Sequence, residues 1–488
     1  MNVLFASAEV APFAKAGGLG DVVGSLPKAL REKGIDARVL MPLYGTINRD
    51  RFRIEYKFSF QFSRRRGTAE VYIHKTTYDG VPIYFLESWP FFSGGDYLYT
   101  DWEWDTPRYI FFSQAVMALA WQLGQGADGA AFFPDILHAH DWHTGLVPFL
   151  LNESRGDPNW SGVGSVLTLH NMAFQGPQAG GFLWDAGVPE RHQPDLVFQD
   201  KTDNLLGIGI AYADQVNTVS PTHATEIQFP RFGEGLEGLL RVRQPDLYGI
   251  LNGMDMQRND PATDPNLQHH YTAADFLEGK RKNKLDLQRE MGLPERADVP
   301  LIGIVSRLTD QKGIDLALPA LRRLFVEYDV QFIGLGSGES ALEDQLHSLC
   351  ADFAFKARDY IGFVPSLAQR IYAASDLFLM PSRYEPCGTS QMLAMRYGSL
   401  PVVRQTGGLA DTVQNYDNGD GNVGTGFSFL WEEPDAVLNT LRWGLDTYRF
   451  RSAAFQNMQR RAMGLDFSWD NSTDQYIAMY RRSIARHR

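Results

Sequence analysis

Short apolar runs alternate with helix-length amphipathic segments along most of the chain. A first series comprises NVLFASA, DARVLMP, PIYFLES, DILHAHD, GSVLTLHN and QVNTVSP, and a second comprises LIGIVSR, VQFIGLG, DYIGFV, DLFLMPS and LPVVRQT. Continuous β-branched runs separated by helix-length segments are typical of parallel strands with helices on both faces of the sheet. Two such series predict an α/β protein made of two doubly wound, Rossmann-like domains.

The two series are separated near residues 249–266, where Gly, Pro, Asn and Asp cluster. A chain of 488 residues is long enough for two hydrophobic cores. We therefore predict an N-terminal domain over residues 1–250 and a C-terminal domain over residues 251–469. In open parallel sheets, ligands bind beyond the carboxyl ends of the strands. The polar residues that end each run are therefore the candidates for function.

Composition excludes several classes of protein. The formal net charge of −12 argues against a nucleic-acid partner, which normally leaves a basic footprint. The two cysteines, Cys350 and Cys387, fit neither a disulfide framework nor the ligand spacing of a zinc site. No apolar run is long enough to span a bilayer, and no secretory signal is visible. We expect a cytoplasmic protein that binds neither nucleic acid nor membrane.

The segment KAGGLG, residues 15–20, lies between the first predicted strand and a predicted helix. Glycine lets a ligand approach the backbone closely, and a helix N-terminus presents N–H groups to an anion. A dinucleotide site is disfavoured because the segment lacks the G-x-G-x-x-G spacing and no acidic residue ends a second strand. A phosphate or sugar-nucleotide site and a ligand-free turn remain as alternatives.

Two cations, Arg307 and Lys312, follow the run LIGIV within SRLTDQKG. An arginine fork and a lysine point charge at a strand end suit a diphosphate, although solvated surface charges would give the same pattern. In PSRYEPCGTSQM, Glu385 precedes a predicted helix whose first N–H groups suit a phosphate. The carboxylate would then accept hydrogen bonds from hydroxyl groups, or it would only stabilise the helix dipole. The segment RQTGGLADTV repeats the pattern of strand, glycines and helix.

The segment HAHDWHTG, residues 138–145, places three histidines and an aspartate at the end of a predicted strand. It lacks the H-E-x-x-H spacing, so we favour residues that line a polar pocket over metal ligands. His170 and Asn171 in LTLHNMAFQG end the next predicted strand in the same way. Because the carboxyl ends of parallel strands meet at one edge of a sheet, we expect these residues to converge.

Together these segments resemble the bacterial glycogen synthase and plant starch synthase family of glycosyltransferases. The motifs that carry the resemblance are KAGGLGDV, HAHDWHTG, LTLHNMAFQG, NTVSPTHATEI, GILNGMD, VSRLTDQKG, PSRYEPCGTSQM and VVRQTGGLADTV, in family order, ending at DFSW, residues 466–469. The resemblance implies a GT-B fold, in which two Rossmann-like domains face each other across a deep cleft. It also implies that the C-terminal helix, residues 470–488, completes the acceptor-side N-terminal domain, and that the C-terminal domain binds the nucleotide-sugar donor.

The implied reaction is the transfer of glucose, with retention, from ADP-glucose to the non-reducing end of an α-1,4-glucan such as glycogen or a maltosaccharide. No metal ion and no other cofactor is expected, because Arg307 and Lys312 would neutralise the leaving diphosphate. Three alternatives remain: a related transferase that uses UDP-glucose or another acceptor, a catalytically weak glucan-binding homologue, and a nucleotide-dependent oxidoreductase, which the glycine spacing disfavours.

The resemblance implies which residues of this chain form the active site. The implied catalytic residues are His170, Arg307, Lys312, Glu385 and Asp141. The implied substrate-binding residues are Lys15, Gly17, Gly18, Asp21, Asn252, Phe363, Cys387, Gly388, Thr389, Ser390 and Thr406.

The resemblance also implies roles in the N-terminal domain. Lys15 and the glycines after it would lie against the phosphate and sugar of the donor. Asp21, Asp141, His170 and Asn252 would line the glucosyl pocket. His170 would hydrogen-bond a sugar hydroxyl through its ring, while its backbone carbonyl faces the developing oxocarbenium ion.

In the C-terminal domain, the resemblance implies that Glu385 holds glucose hydroxyls. The N–H groups of Thr389 and Ser390 would face the distal phosphate. Phe363 in YIGFV would stack on the base of the nucleotide.

The chain departs from the family pattern at several positions. Ala16 stands where Thr or Val is common, and Phe363 stands where Tyr is frequent. Gly207 in LLGIGIAYAD replaces a family lysine, and Asn259 replaces a frequent tryptophan of the linker. The changes at residues 207 and 259 bear on the acceptor range and efficiency rather than on the class of reaction.

Overall fold

The computed structural model describes residues 1–65, 67–93, 95 and 97–487. The chain divides into two compact units, the first comprising Met1–Gly253 and Trp469–Arg488 and the second comprising Met254–Ser468. Each unit has its own hydrophobic core, in which the apolar faces of helices cover a β-sheet. The two sheets, which are mostly parallel, confirm the predicted α/β fold class.

The sheet of the first unit combines a parallel centre with an antiparallel edge. Its described strands are β1 (Asn2–Ala6), β2 (Asp36–Pro42), β3 (Glu55–Arg64), β4 (Gly67–Tyr78), β5 (Val81–Glu87), β6 (Ile136–His140), β7 (Gly164–Leu169), β8 (Gln215–Thr218) and β9 (Leu247–Gly249). They lie in the order β3-β4-β5-β2-β1-β6-β7-β8-β9. The pairs β3·β4 and β4·β5 are antiparallel, and the other pairs are parallel.

The antiparallel strands β3 and β4, like the short parallel strand β9, were not predicted by the sequence analysis. In β3, Phe58, Phe60 and Phe62 alternate with polar residues, and Phe60 is buried. Alternation is typical of a strand with one face in solvent, whereas parallel central strands are continuously apolar. A search for continuous apolar runs therefore finds the centre of the sheet and passes over this edge.

The helices of the first unit up to residue 253 are α1 (Gly18–Glu32), α2 (Trp102–Gly124), α3 (Val147–Ser154), α4 (Pro158–Ser161), α5 (Gly180–Asp185), α6 (Pro194–Phe198), α7 (Leu205–Tyr212), α8 (Pro221–Glu226), α9 (Pro230–Gly233) and α10 (Glu237–Val242). The helix α2 has 23 residues and begins with the carboxylates of Glu103 and Asp105 in its first turn. In the described parts of the chain, no helix is both long enough and apolar enough to cross a membrane.

The sheet of the second unit is parallel throughout its described strands. These strands are β10 (Leu301–Val305), β11 (Gln331–Gly336), β12 (Ala357–Ile361), β13 (Leu377–Met380), β14 (Leu400–Arg404) and β15 (Phe427–Phe429), in the order β12-β11-β10-β13-β14-β15. The helices are α11 (Phe276–Glu290), α12 (Ile314–Glu327), α13 (Ser340–Asp352), α14 (Pro365–Ala374), α15 (Ser390–Arg396), α16 (Gly407–Thr412), α17 (Pro434–Phe450) and α18 (Ser452–Met463).

The last described helix, α19 (Asp470–Ala485), packs on the sheet of the first unit. The hydroxyl of Tyr480 lies 2.8 Å from Nδ1 of His138 on β6. The hydroxyl of Ser483 donates a hydrogen bond to the carbonyl of Ser165 on β7, at 3.2 Å. These contacts join α19 to β6, which carries His138 and His140, and to β7, which directly precedes His170.

The strand order reverses in both sheets beside the segments that carry the candidate residues. β1 lies between β2 and β6, and β10 lies between β11 and β13, so the strand order reverses beside β1 and beside β10. In doubly wound sheets, ligands bind at the carboxyl ends of the strands at such a reversal. In the first unit, residues 7–20, 141–145 and 170–171 follow β1, β6 and β7. In the second unit, residues 306–313, 381–389 and 405–407 follow β10, β13 and β14.

Glycines allow the three loops of the second unit to touch through their backbones. Gly313 has a φ of +65°, and a Cβ atom there would lie 2.1 Å from the carbonyl oxygen of Pro381. Gly407 has a φ of +44°, and its Cβ would lie 2.0 Å from the carbonyl oxygen of Glu385. Each position requires a residue without a side chain, because backbone atoms cannot move aside as a flexible side chain can.

We expect Gly313→Ala to lower the free energy of unfolding by at least about 2 kcal/mol, because it adds both a steric clash and an unfavourable positive φ. Gly464→Ala is the control, since a Cβ there would come no closer than 3.5 Å to any neighbour. Urea denaturation followed by tryptophan fluorescence compares the two variants with the wild type. Equal stability of the two variants would contradict the tight loop contact.

Candidate active site

The loop after β1 is held by a buried carboxylate. Glu9 is 4% exposed, and its Oε2 accepts hydrogen bonds from the N–H groups of Ala16 (2.7 Å) and Gly17 (3.0 Å). Its Oε1 accepts a hydrogen bond from the hydroxyl of Tyr99. Two N–H groups of KAGGLG are therefore already paired within the protein, and this loop is not an open row of donors for an anion.

The sequence analysis overlooked Glu9, although a signal was present. Glu9 is the one charged residue in the apolar run VLFASAEVAPF. A carboxylate in such a run is buried with its apolar neighbours and needs hydrogen-bond donors to offset the loss of water. Donors for it were available in the glycine loop that follows.

The glycines of this loop leave the backbone accessible. A Cβ atom at Gly17 or Gly18 would meet no other atom within 4 Å. Beside them, Lys15 pairs with Asp21 at 2.7 Å, and their side chains are 43% and 51% exposed. Exposed pairs of this kind contribute little to stability, so both groups are available to a ligand. The structure thus brings together these four predicted substrate-binding residues.

Asp141, directly after β6, combines burial with an unusual backbone conformation. Its φ is +54° and its ψ is −169°, a region that residues other than glycine rarely adopt and that costs about 1–3 kcal/mol. The backbone N–H groups of His170 (2.6 Å) and Asn171 donate to its carboxylate. Burial nevertheless raises the pKa of Asp141 to about 7. Strain and a displaced pKa at one residue are both typical of functional sites.

The histidines at the ends of β6 and β7 are buried and uncharged. Nε2 of His170 lies 3.0 Å from Nδ1 of His140, and the ring of His143 stacks with that of Tyr99 at 5.2 Å between centroids. Burial lowers the pKa of His170 and of His143 to about 3 and holds the pKa of His138 and of His140 well below the usual range. At neutral pH these rings are hydrogen-bonding groups rather than cations.

The histidines do not converge on one metal position. His138 bonds to Tyr480 and Thr168, whereas His140 bonds to His170. Among the residues that the structure describes, no group of three or more His, Cys, Asp or Glu side chains could hold a metal ion.

Asn252, in GILNGMD, has a buried side-chain oxygen without a hydrogen-bond partner in the described structure. Its neighbour Gly253 packs tightly, since a Cβ there would lie 2.7 Å from backbone and ring atoms of Trp469. Buried polar atoms in native proteins are nearly always satisfied, so an unpaired one indicates a place for a ligand or water. This observation fits the predicted substrate-binding role of Asn252.

The second unit contains a buried ion pair between two predicted catalytic residues. Nζ of Lys312 lies 2.6 Å from Oε2 of Glu385, and their side chains are only 16% and 8% exposed. The hydroxyl of Ser382 donates to the same carboxylate oxygen at 3.0 Å. Removing one partner of a buried pair leaves the other charge uncompensated, so each residue fixes the position of the other.

Arg307 and Phe363 are exposed, unlike this pair. Nη2 of Arg307 donates to the side-chain oxygen of Gln311 at 3.3 Å, and its guanidinium has no carboxylate partner in the part of the chain that the structure describes. Phe363, after β12, is 74% exposed. Both side chains are therefore free to contact a ligand.

The loop that carries Glu385 contacts the start of α16 and leads into α15. The N–H of Gly408 donates to the carbonyl of Glu385 at 3.0 Å. Gly388 has a φ of +73°, and the hydroxyl of Tyr372 bonds to that of Ser390 at 3.1 Å. The other predicted substrate-binding residues of this region, Cys387, Thr389 and Thr406, lie in the same loops as Glu385, Gly388 and Ser390 or next to them. Cys387 and Thr406 are buried.

Two departures from the family pattern have local explanations. Gly207 lies in the first turn of α7, where its N–H donates to the side chain of Asn204, and a Cβ there would lie 3.3 Å from Leu236. The side chain of Asn259 donates to the carbonyl of Asp255 at 2.9 Å and accepts a hydrogen bond from Gln369 at 3.1 Å. Asn259 therefore anchors the linker by hydrogen bonds.

Two family models match the chain. Residues 2–242 match the starch synthase catalytic domain, and residues 290–452 match glycosyl transferases group 1. A glycogen synthase of Streptococcus agalactiae serotype Ia is 41% identical over 488 residues, which cover 99% of this chain and 100% of that protein. A glycogen synthase of an Anaeromyxobacter species is 43% identical over 495 residues, with the same coverage of both chains.

Solved structures agree with these matches. The catalytic domain of starch synthase IV from Arabidopsis thaliana, bound to ADP and acarbose, has a TM-score of 0.87 at 33% identity, over 99% of each chain. A sucrose-phosphate synthase of Thermosynechococcus elongatus has a TM-score of 0.60 at 16% identity over 99% of each chain, which shows a shared fold alone. The expected GT-B fold and the family resemblance are confirmed.

We expect Asp141→Asn to gain stability relative to the wild type as pH rises. The folded pKa of Asp141, about 7, exceeds the unfolded value, so its protonation stabilises the fold at low pH and this contribution is lost as pH rises toward 7. Asparagine cannot ionise. Between pH 5 and pH 8 the difference in unfolding free energy, variant minus wild type, should therefore increase by about 2–3 kcal/mol.

Thermal and urea unfolding at the two pH values measure this difference. Asp79→Asn is the control, because Asp79 also has a positive φ, +48°, but is exposed. A difference that does not depend on pH for Asp141→Asn would show that Asp141 is ionised in the folded protein at both values.

Proposed function

Because the chain belongs to the glycogen synthase and starch synthase family of glucan glucosyltransferases, we propose that it transfers glucose from ADP-glucose to the non-reducing end of an α-1,4-glucan with retention. The observation that carries this proposal is the identity of 41–43% over the full length of two proteins named glycogen synthase. The ADP bound to the related starch synthase IV supports adenine as the base of the donor.

In this proposal, the two parts of the chain bind different parts of the substrates. Residues 1–250, with the helix at 470–488, would serve the acceptor and the transferred glucose. Residues 251–469 would bind the donor through its diphosphate and base. Charge supports this division, because the candidate histidines of the first unit are neutral whereas Arg307 and Lys312 of the second are cations.

In the second unit, Arg307 and Lys312 would neutralise the charge that grows on the diphosphate as the bond to glucose breaks. Lys312 is already oriented by Glu385, so little reorganisation would precede the reaction. The other oxygen of Glu385 would hold glucose hydroxyls. The N–H groups of Thr389 and Ser390 would contact the distal phosphate, and Phe363 would stack on the base.

In the first unit, Asp141, His170 and Asn252 would surround the glucosyl group, with Lys15 and Asp21 at the glycine loop. Asp141 holds the backbone of His170 through a hydrogen bond of 2.6 Å, which orients both the ring and the carbonyl of that residue. The carbonyl would stabilise positive charge at the anomeric carbon, and the ring would hydrogen-bond a sugar hydroxyl.

The transfer would proceed on one face of the sugar. The acceptor hydroxyl oxygen bonds to the anomeric carbon as the bond from that carbon to the diphosphate breaks. The electron pair of the broken bond stays on the diphosphate oxygen, which takes the proton of the acceptor hydroxyl. No carboxylate nucleophile is required, unlike in a retaining glycosidase, so positioning and electrostatic stabilisation would carry the catalysis.

We expect glucose incorporation into glycogen with a higher kcat/KM for ADP-glucose than for UDP-glucose, and we expect EDTA to leave the activity largely intact. Purified protein assayed with both labelled donors at equal acceptor concentration tests both points. A higher kcat/KM with UDP-glucose would show that UDP-glucose, and not ADP-glucose, is the preferred donor. Absence of incorporation from either donor would indicate a glucan-binding homologue, and loss of activity restored by Mg²⁺ or Mn²⁺ would overturn the metal-independent mechanism.

We expect Arg307→Ala and Lys312→Ala each to lower kcat about a hundredfold to a thousandfold, the usual effect of removing one donor that stabilises transition-state charge. ADP affinity should fall less, and Arg307→Lys should restore activity only in part because the planar fork is lost. Arg322→Ala is the control, since Arg322 forms an exposed pair with Asp352. Steady-state kinetics of folded variants give the comparison, and a kcat within threefold of the wild type would exclude the catalytic role.

The two alanine variants should differ in stability. Lys312→Ala leaves the buried Glu385 without its cation, whereas Arg307 is exposed and pairs with no carboxylate in the described structure. Only Lys312→Ala should therefore lower the melting temperature. The double variant Lys312→Ala/Glu385→Gln should recover part of that loss without recovering kcat.

A further inference from the structure

His140 is a buried histidine that the proposed mechanism does not use. It lies at the end of β6 with 0% exposure, and its Nδ1 lies 3.0 Å from Nε2 of His170. Its second ring nitrogen, Nε2, is buried and has no hydrogen-bond partner among the described residues. The side chain of His140 therefore has one hydrogen bond, and that bond is to the residue proposed to contact the sugar.

Only one proton can lie between the two rings. Burial lowers the pKa of His170 to about 3 and that of His140 well below its usual range, so both rings are neutral at neutral pH. A neutral imidazole carries one N–H and one bare nitrogen, and the partner of one nitrogen decides the state of the other. The contact between His140 and His170 therefore couples the tautomers of the two rings.

Two arrangements satisfy this contact. If His170 donates, the proton of His140 must lie on its Nε2, which leaves a buried N–H with no acceptor. If His140 donates from Nδ1, its Nε2 is a bare nitrogen, and His170 carries its own proton on Nδ1. Buried N–H groups without an acceptor are rarer in native proteins than acceptors without a donor, so the second arrangement is favoured.

We propose that His140 is a positioning residue that holds His170 in the tautomer protonated on Nδ1, so that His170 presents an N–H donor to its ligand. In the described structure, Nδ1 of His170 has no protein partner, and the residue keeps 9% of its surface exposed. This inference rests on the proposed function for the nature of the ligand, the glucosyl group. It adds that His170 acts toward a sugar oxygen as a donor and cannot act there as a base.

The hydrogen bonds of His138 assign it the other tautomer, protonated on Nε2, so this residue serves as a reference within the same protein. The hydroxyl of Thr168 donates to the side-chain oxygen of Asn217 at 2.7 Å, so its oxygen accepts the hydrogen bond from Nε2 of His138, also at 2.7 Å. Nδ1 of His138 then accepts from the hydroxyl of Tyr480 at 2.8 Å. His138 is therefore protonated on Nε2, and His170 on Nδ1, within one protein.

The direct test is ¹⁵N NMR of the full-length wild-type protein labelled at its histidines, in which protonated and bare ring nitrogens have well-separated shifts. Signals are assigned by their disappearance in His138→Gln and His170→Gln. We expect His170 to be protonated on Nδ1 and His138 on Nε2. Protonation of His170 on Nε2 would overturn the proposal. Because this measurement needs no substrate, its result is independent of whether the chain transfers glucose.

Kinetics of His140 variants provide a second test. The side-chain amide of His140→Asn places an N–H near the position of the original Nδ1, whereas His140→Leu removes the donor and keeps an apolar volume. We expect His140→Leu to lower kcat/KM for ADP-glucose at least tenfold and to give mixed tautomers of His170 in the spectrum. His140→Asn should lose less than threefold and keep the Nδ1–H signal. Equal losses in both variants, or no loss in either, would contradict the positioning role.

Discussion

Parallel pairing of β1 with β6 and of β10 with β13 is the interaction on which the rest of the structure depends. Parallel strands end at one edge of a sheet, and the reversal of strand order beside β1 and β10 opens that edge to a ligand. Residues far apart in the chain are thereby placed side by side. The N–H of His170 reaches Asp141, and Lys312 reaches Glu385, 73 residues away.

Burial then gives the two edges different electrostatic characters. In the first unit, loss of water neutralises the histidines and raises the pKa of Asp141, so this edge presents hydrogen-bonding groups with little net charge. In the second unit, Lys312 is compensated by Glu385, and Arg307 projects into solvent as a cation. The proposed reaction separates a positive sugar from a negative diphosphate, and in that proposal the first edge would serve the sugar and the second the diphosphate.

Much of the fold was predictable because buried parallel strands have sequences of consecutive apolar residues. All eleven such runs form strands, whereas the alternating β3 and β4 and the short β9 and β15 were not predicted. The candidate site residues came from motifs that resemble a known family, several of them at strand ends, and their roles in the reaction remain proposals. Glu9 and His140 show the limit of motif reading: the apolar run around Glu9 signals a buried carboxylate, but the atoms that either side chain contacts are known only from the folded structure.

By itself, the sequence determined the continuously apolar strands, the α/β class and the loops that carry the polar residues, because these depend on local patterns of apolar and polar positions. Only the tertiary structure decided that Glu9 pairs with the glycine loop, that Lys312 pairs with Glu385, and that His140 meets His170. These pairings depend on burial and on distances between segments remote in sequence. Hydrogen-bond partners and loss of water, which set protonation, exist only once the chain has folded.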